Sequence, residues 1–420
     1  MRKLQKMLTC AICLILCIST ILGHSSCGVT VSAIDYMEGF TRRSQKVGEV
    51  TDEFKTALIG FGTDIFRRCI EDEDDNYLVS PLSALICLAM IANGTANETL
   101  AEIEQTLGIK CDDLNEALYA YMSQLYTADD CKVALADSVW FNSDCGCLDI
   151  SDDFLQTNAD WYNAQVYGRP FDDSTKQAIN NWVKEHTDGM IDKIIEDKIP
   201  ASTVMYLINT LLFDAKWQNE YESTDIKKLT FTSHDGTENK IDMMHSFENI
   251  YLENDNAVGV CKLYKGGKYC FVGILPNEGT DIYDYIAGFD RDEFTGLWNS
   301  ISFRAVDTLI PEFEYGADIT LTEILQDMGI NQMFDGRADF SRIGKFGNGD
   351  LFCSDIKQKT RIEVNRNGTK AAAVTWAEIK ATSAGPTETK SVYMTRPFVY
   401  AIVDFTTGTP LFIGAYTTVK

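Results

Sequence analysis

The sequence predicts an α+β fold. Apolar residues at helical spacing dominate the first half, strand-type runs dominate the second, and strands and helices never settle into a regular βαβ alternation. In order, Thr51 can cap a helix whose Phe54, Leu58, Phe61, Ile65 and Cys69 recur on one face. The chain turns at Pro81 into an apolar helix reaching about Ala92, and Asp112-Asp113 reads as a polar break before a helix over Asn115–Tyr126. Lys132–Phe141 reads as a strand, Ala178–Ile195 as a helix built around Trp182, Val183, His186, Met190 and Ile194, and Val204–Phe213 as a buried strand. Strands follow at Ile250–Leu252, Gly259–Tyr264, Tyr269–Leu275, Ser302–Ala305 and Leu309–Tyr315, with one helix at Leu321–Met328 and more strand to the end.

A chain of 420 residues could hold two or three domains, yet no low-complexity or Pro/Ser-rich linker divides it. The N-terminus has the pattern of a secretory signal: Arg2, Lys3 and Lys6, an apolar run from Leu8 to Leu22, and a small-residue cleavage site at Val31-Ser32-Ala33. The expected division is a signal peptide over 1–33 and a mature protein over 34–420, secreted to the extracellular space. The alternative is a lipoprotein signal cut before Cys27, which would anchor the chain at the cell surface. Formal charge is −25, and about −28 without the leader, so nucleic acid and heparin are not expected partners. Nine of the 13 cysteines lie beyond residue 33; their scatter and odd number suit buried thiols better than a disulfide framework. No metal and no cofactor is assigned. Gly-x-Ser-x-Gly, His-Glu-x-x-His and phosphate-loop motifs are absent, and His186 reads as a packed histidine, so a hydrolase is the weakest of the readings weighed.

The stretch Gly368–Pro386, GTKAAAVTWAEIKATSAGP, carries the functional signal. As a helix its alanines are offset by Val374, Thr375 and Trp376. As a strand it sorts by face: Thr369, Ala371, Ala373, Thr375, Ala377 and Ile379 are small or apolar, while Lys370, Glu378 and Lys380 fall on the other side. No proline interrupts Thr369–Gly385, so the segment could enter a sheet as an internal strand. A surface helix or loop fits the pattern about as well.

Eight motifs in order resemble the serpins: NYLVSPLS (Asn76–Ser83), NNWVKEHTDGMI (Asn180–Ile191), LINTLLFDAKW (Leu207–Trp217), IPEFEY (Ile310–Tyr315), MGINQMF (Met328–Phe334), ADFSRI (Ala338–Ile343), IEVNRNGTKAAA (Ile362–Ala373) and RPFVYAIVDFTTGTPLFIG (Arg396–Gly414). The resemblance implies a serpin fold, one domain with three β-sheets and about eight or nine helices. It implies an exposed reactive loop, here about 366–390, that baits a serine protease and traps the acyl-enzyme by inserting into the main sheet. The expected hinge is Gly368, Thr369, Lys370, Ala371, Ala372 and Ala373, small enough to insert at little desolvation cost.

The family's loop length places the scissile bond at Thr382–Ser383, with Ala381 and Ala384 as neighbouring registers. These small residues suit an elastase-like or subtilisin-like protease; Lys380 would instead suit a trypsin-like one. The resemblance also implies a gating set in the shutter and breach of the sheet: Ser80, Ser83, Asn209, Trp217 and Gln358, the last standing where many members carry histidine. Arg366 and Asn367 replace an acidic pair common before the hinge glycine. Asn367-Gly368-Thr369 is a glycosylation sequon whose glycan is expected to obstruct insertion, which points to a bacterial source. The expected molecule is a monomeric inhibitor that joins its target covalently; the alternative within the family is a non-inhibitory binding protein.

Overall fold

The structure, a computed structural model, describes residues 34–70, 75–125, 127–128, 130–145, 149–200, 203–345, 352–353, 356–369 and 389–420. The leader with Cys27, and Lys370–Ala384 with the candidate scissile bonds, lie outside the described residues. Asp35–Lys420 forms one compact unit.

The α+β expectation holds, with nine α-helices among the described residues and the strands gathered mainly after residue 200. The main sheet runs in the order Gln165–Arg169, Cys131–Asn142, Met205–Lys216, Gly368–Thr369, Lys357–Asn365, Phe313–Thr320. The remaining large array divides into two sheets that share the 16-residue strand Glu238–Glu253. Its first half pairs with Ile226–Thr232 and its second half with Ala257–Leu263, while Ser302–Pro311 runs along the opposite edge. From Ala257–Leu263 the ladder continues through Tyr269–Pro276, Phe398–Asp404 and Thr409–Tyr416 to Tyr77–Val79. On the other side, Ser302–Pro311 carries the parallel edge strand Lys390–Tyr393. The three sheets implied by the resemblance are therefore present.

Two helices set up the site. Asp52–Arg68 begins where Thr51 Oγ1 accepts the Phe54 N–H at 3.2 Å, as its sequence predicts. Pro81–Gly94 starts with proline in its first turn and Ser80 as its cap, and buries nearly every side chain beneath the main sheet. A smaller core joins Trp182, Ile179 and Val183 of helix Asp173–His186 to Trp140 and Ile208 of the sheet.

Some boundaries depart from the sequence reading. Asp112-Asp113 is no break but the acidic first turn of helix Cys111–Ser123, where carboxylates oppose the helix dipole favourably. The helix predicted over Ala178–Ile195 spans Asp173–His186, capped by Asp172 and ended by Asp188 and Gly189, both at positive φ. His186 is structural, as expected: its Nδ1 lies 2.7 Å from the Trp182 carbonyl and its ring stacks on Trp182. Seven cysteines are described as thiols, six of them buried.

Candidate functional site

Strand Lys357–Asn365 turns back at Arg366-Asn367 and returns as Gly368–Thr369 in the middle of the main sheet. Val364 and Asn365 pair with Thr369 and Gly368 on one side, and Ala215 and Lys216 pair with them on the other. The first two hinge residues are thus already strand. Glycine is required at 368 by close approach: a Cβ there would strike the Ala215 carbonyl oxygen and sit 2.6 Å from Lys216 Cα.

The turn is held from three sides. Arg366 sets its guanidinium on the Glu312 carboxylate with bonds of 2.9 and 3.0 Å, and its backbone N–H reaches the same carboxylate. Asn365 Oδ1 accepts the Asn367 N–H at 2.9 Å. Trp217, fully buried, donates from Nε1 to the Asn365 carbonyl at 2.8 Å and from its backbone to the Asn367 carbonyl at 3.0 Å. Its indole stacks on Tyr264, whose hydroxyl bonds the Thr369 hydroxyl at 2.7 Å. Lys262 lies beside the rings of Trp217 and Tyr221 and pairs with Glu248 at 2.6 Å, so this buried ammonium keeps a counter-ion. Arg366, which replaces an acid of the family pattern, therefore finds its own acid in Glu312. The Asn367 side chain lies exposed at the turn, before the hinge strand begins.

Below the hinge the sheet is parted. Among the described residues no ladder joins Met205–Phe213 to Lys357–Glu363, although Gly368–Thr369 bridges them at their far ends. A cleft of about 530 Å³ lies there, lined by both strands and floored by Cys87 and Ile91 of helix Pro81–Gly94. Each lip has its own anchor. Gln358 accepts the Ser80 N–H at 2.8 Å and donates to the Ser80 carbonyl at 2.9 Å, a two-way bond that uses both ends of its amide. Ser80 Oγ donates to the Leu411 carbonyl at 3.0 Å and accepts the Ser83 N–H at 3.4 Å. Thr360 Oγ1 bonds the Leu78 carbonyl at 2.9 Å. The other lip is laddered to Cys131–Asn142 from Met205 to Ala215.

Ser80, Ser83, Asn209 and Gln358 all line the cleft, but Asn209 makes its hydrogen bond away from the other three. Its Nδ2 donates to Asp137 Oδ1 at 2.7 Å, and its Oδ1 is buried without a hydrogen-bond partner among the described residues. Asp137 is missed by the sequence reading, although it is the one charge in the apolar run Val133–Phe141. Burial pushes its carboxyl up to about 7, against the lowering effect of the Asn209 bond. Cys87 and Tyr162 also face it; burial raises both, so neither supplies a cation or an anion at neutral pH.

The chain matches the serpin (serine protease inhibitor) family model over residues 56–419. It is 30% identical over 378 residues to Iripin-3 of Ixodes ricinus, covering 87% of this chain and 95% of that one. The native-state structure of the thermophilic serpin tengpin superposes with a TM-score of 0.86 at 39% identity, covering 93% of this chain and 100% of that one. The latent-state structure of tengpin gives 0.79 at 38% identity, over 89% and 100%. A main sheet parted below a docked hinge, eight motifs in order and these likenesses over most of the chain lead to one conclusion: the protein belongs to the serpin family of serine protease inhibitors.

Proposed function

We propose that the protein is a suicide-type inhibitor whose bait bond is Thr382–Ser383. The observation that carries this reading is the hinge: Gly368–Thr369 is seated between two strands that, among the described residues, have no ladder to each other below it. The step that follows is a zipper. The protease serine attacks the Thr382 carbonyl, the peptide bond breaks, and the Ser383 amine leaves with the C-terminal fragment. The acylated end is then free to extend the two-residue strand down the parted sheet. Each new residue makes ladder bonds to both lips and buries small side chains over the cleft. The protease travels with it before water can hydrolyse the ester.

The small residues Ala381, Thr382 and Ala384 favour an elastase-like or subtilisin-like target over a trypsin-like one cut after Lys380. Secretion by the leader over 1–33 places the inhibitor where such proteases act, and the acidic surface predicts little acceleration by heparin. The test is to mix the chain with elastase, subtilisin and trypsin and read a denaturing gel and the mass of the released fragment. A covalent complex with elastase or subtilisin and a fragment beginning at Ser383 is expected. A fragment beginning at Ala381 would assign the bond to Lys380. Clean cleavage without a complex would leave a non-inhibitory serpin.

A further inference from the structure

The ladder around Gly368–Thr369 fixes where the next residue of the chain falls when that strand grows. Gly368 and Thr369 stand opposite Lys216 and Ala215 on one side and opposite Asn365 and Val364 on the other. Continued by one residue, the same antiparallel register sets position 370 opposite Asp214 and Glu363. Thr369, Ala215 and Val364 are buried against the core, so alternation turns this rung to the outer face of the sheet. Asp214 and Glu363 are half-buried there, on the two strands that flank the return strand.

The charges on either side of the rung are largely committed. Lys132 stands opposite Asp214 and pairs its ammonium with Asp188. Glu314 stands opposite Glu363 and pairs with Arg361 at 2.5 Å. Glu363 accepts a bond from Asn365 Nδ2 at 2.8 Å and is in no ion pair among the described residues. Like charges directly opposite one another cost stability, and Glu363 beside Glu314 is such a pair. The residue that the register delivers between Asp214 and Glu363 is Lys370, the one charge in the run Gly368–Ala377. Opposed side chains start about 4.5–5.5 Å apart, so one lysine reaches both carboxylates. The rungs that follow match as well. On the outer face the strand Lys357–Asn365 next presents Arg361 and Lys359, and the register sets the uncharged Ala372 and Val374 opposite them. A lysine at 372 would meet Arg361; the lysine at 370 meets two acids.

We propose that Asp214 and Glu363 form a carboxylate seat for the Lys370 ammonium, and that Lys370 is a positioning residue for loop insertion. This rests on the inhibitory reading above. The seat is filled by the first residue that insertion adds. It therefore acts on the step that competes with hydrolysis of the acyl-enzyme, and not on the attack itself, which falls twelve residues further along the loop at Thr382.

The experiment uses the full chain with elastase and subtilisin and follows two quantities: the rate of first cleavage and the number of inhibitor molecules consumed per protease trapped. Consumption exceeds one by the ratio of hydrolysis to insertion. Lys370→Glu exchanges two attractions for two repulsions and should slow insertion about tenfold, so that the excess over one rises about tenfold. The effect falls on consumption and not on the rate of first cleavage. Lys370→Gln should lie between. Glu363→Lys alone should raise the excess too, and combining it with Lys370→Glu should bring the excess below that of either single variant, which lost packing at the two positions would not do. Equal consumption by Lys370→Glu and the unaltered chain, or a double variant no better than the worse single one, would overturn the seat and leave the inhibitory reading standing. Failure of the unaltered chain to trap any protease would overturn that reading, and the seat with it.

Discussion

Asp137 makes stability depend on pH in a direction opposite to that of a paired surface carboxylate. It is buried in the main sheet, accepts one hydrogen bond from Asn209, and is pushed from an ordinary 3.8 to about 7 by desolvation. A carboxyl with a higher pKa in the folded state holds more protons there than in the unfolded chain. Its contribution is therefore full below about 4, falls as pH rises, and levels off above about 7. The loss across that window is at most about 4 kcal/mol, because each tenfold change in proton affinity between the two states is worth about 1.36 kcal/mol. Asp137→Asn removes the charge and adds a donor facing the unpartnered Asn209 Oδ1, so two amides can satisfy each other. For a chain of this size, about 4 kcal/mol corresponds to about 5 °C in thermal midpoint. The assay is a series of melts from pH 5 to 8.5 at one scan rate, read as the difference between the two proteins so that other titrating groups cancel. The gap should already be about 40% open at pH 5, grow through pH 7 and level off above it, with the variant melting higher. A gap that does not change with pH, or one that opens toward acid, refutes the reasoning.

Gly368→Ala should expel the docked hinge, because the new Cβ strikes the Ala215 carbonyl; a loss of about 2 kcal/mol in stability and a higher inhibitor-to-protease stoichiometry are expected, measured by melts and by titration of elastase. Gln358→Ala strands the N–H of buried Ser80, whose carbonyl keeps the Ala84 N–H at 3.1 Å; this should destabilise the native state by about 1–3 kcal/mol in denaturant midpoints, whereas an unchanged midpoint would show that the bridge is dispensable. Thr382→Arg should turn trypsin into a covalently trapped target; trypsin cutting after the introduced arginine without forming a complex would show that the hinge-to-bond length is wrong.

The return strand at Gly368–Thr369 is the part of the expected hinge that the structure describes, and its physics is local. Small side chains on alternate positions and a lone glycine are sequence facts, and the structure adds only why the glycine is needed: Ala215 leaves no room for a Cβ. The motifs likewise identified the residues around the cleft, but a motif carries positions and not directions. Gln358 could bond both ways, and it does; Asn209 could face Ser80 or its own sheet neighbour, and it takes the neighbour because Asp137 stands there. Helices were lost where periodicity misled. Met190, Ile191 and Ile194 continue an apolar period past His186, and only the positive φ of Asp188 and Gly189 ends it. Asn97–Leu107 buries only Ile103 and Leu107 as apolar side chains, too weak a stripe to read without the core it faces.

The two lips of the cleft are fastened by two different devices. The lip at Gln358 is fastened by a neutral two-way bond to backbone, insensitive to pH. The lip at Asn209 is fastened to a carboxyl that changes charge near neutrality, with an unmet acceptor beside it. Protonating Asp137 supplies the missing donor and tightens that lip to its neighbour strand. Ionising it leaves Asn209 with one bond and one unpaired oxygen at the wall of the cleft that, on the proposed inhibitory reading, the loop enters. An inserting strand brings backbone N–H groups to that wall, and such a donor can meet the unpaired oxygen. Asp137, which the sequence reading missed, is thus a residue through which pH is expected to reach the sheet.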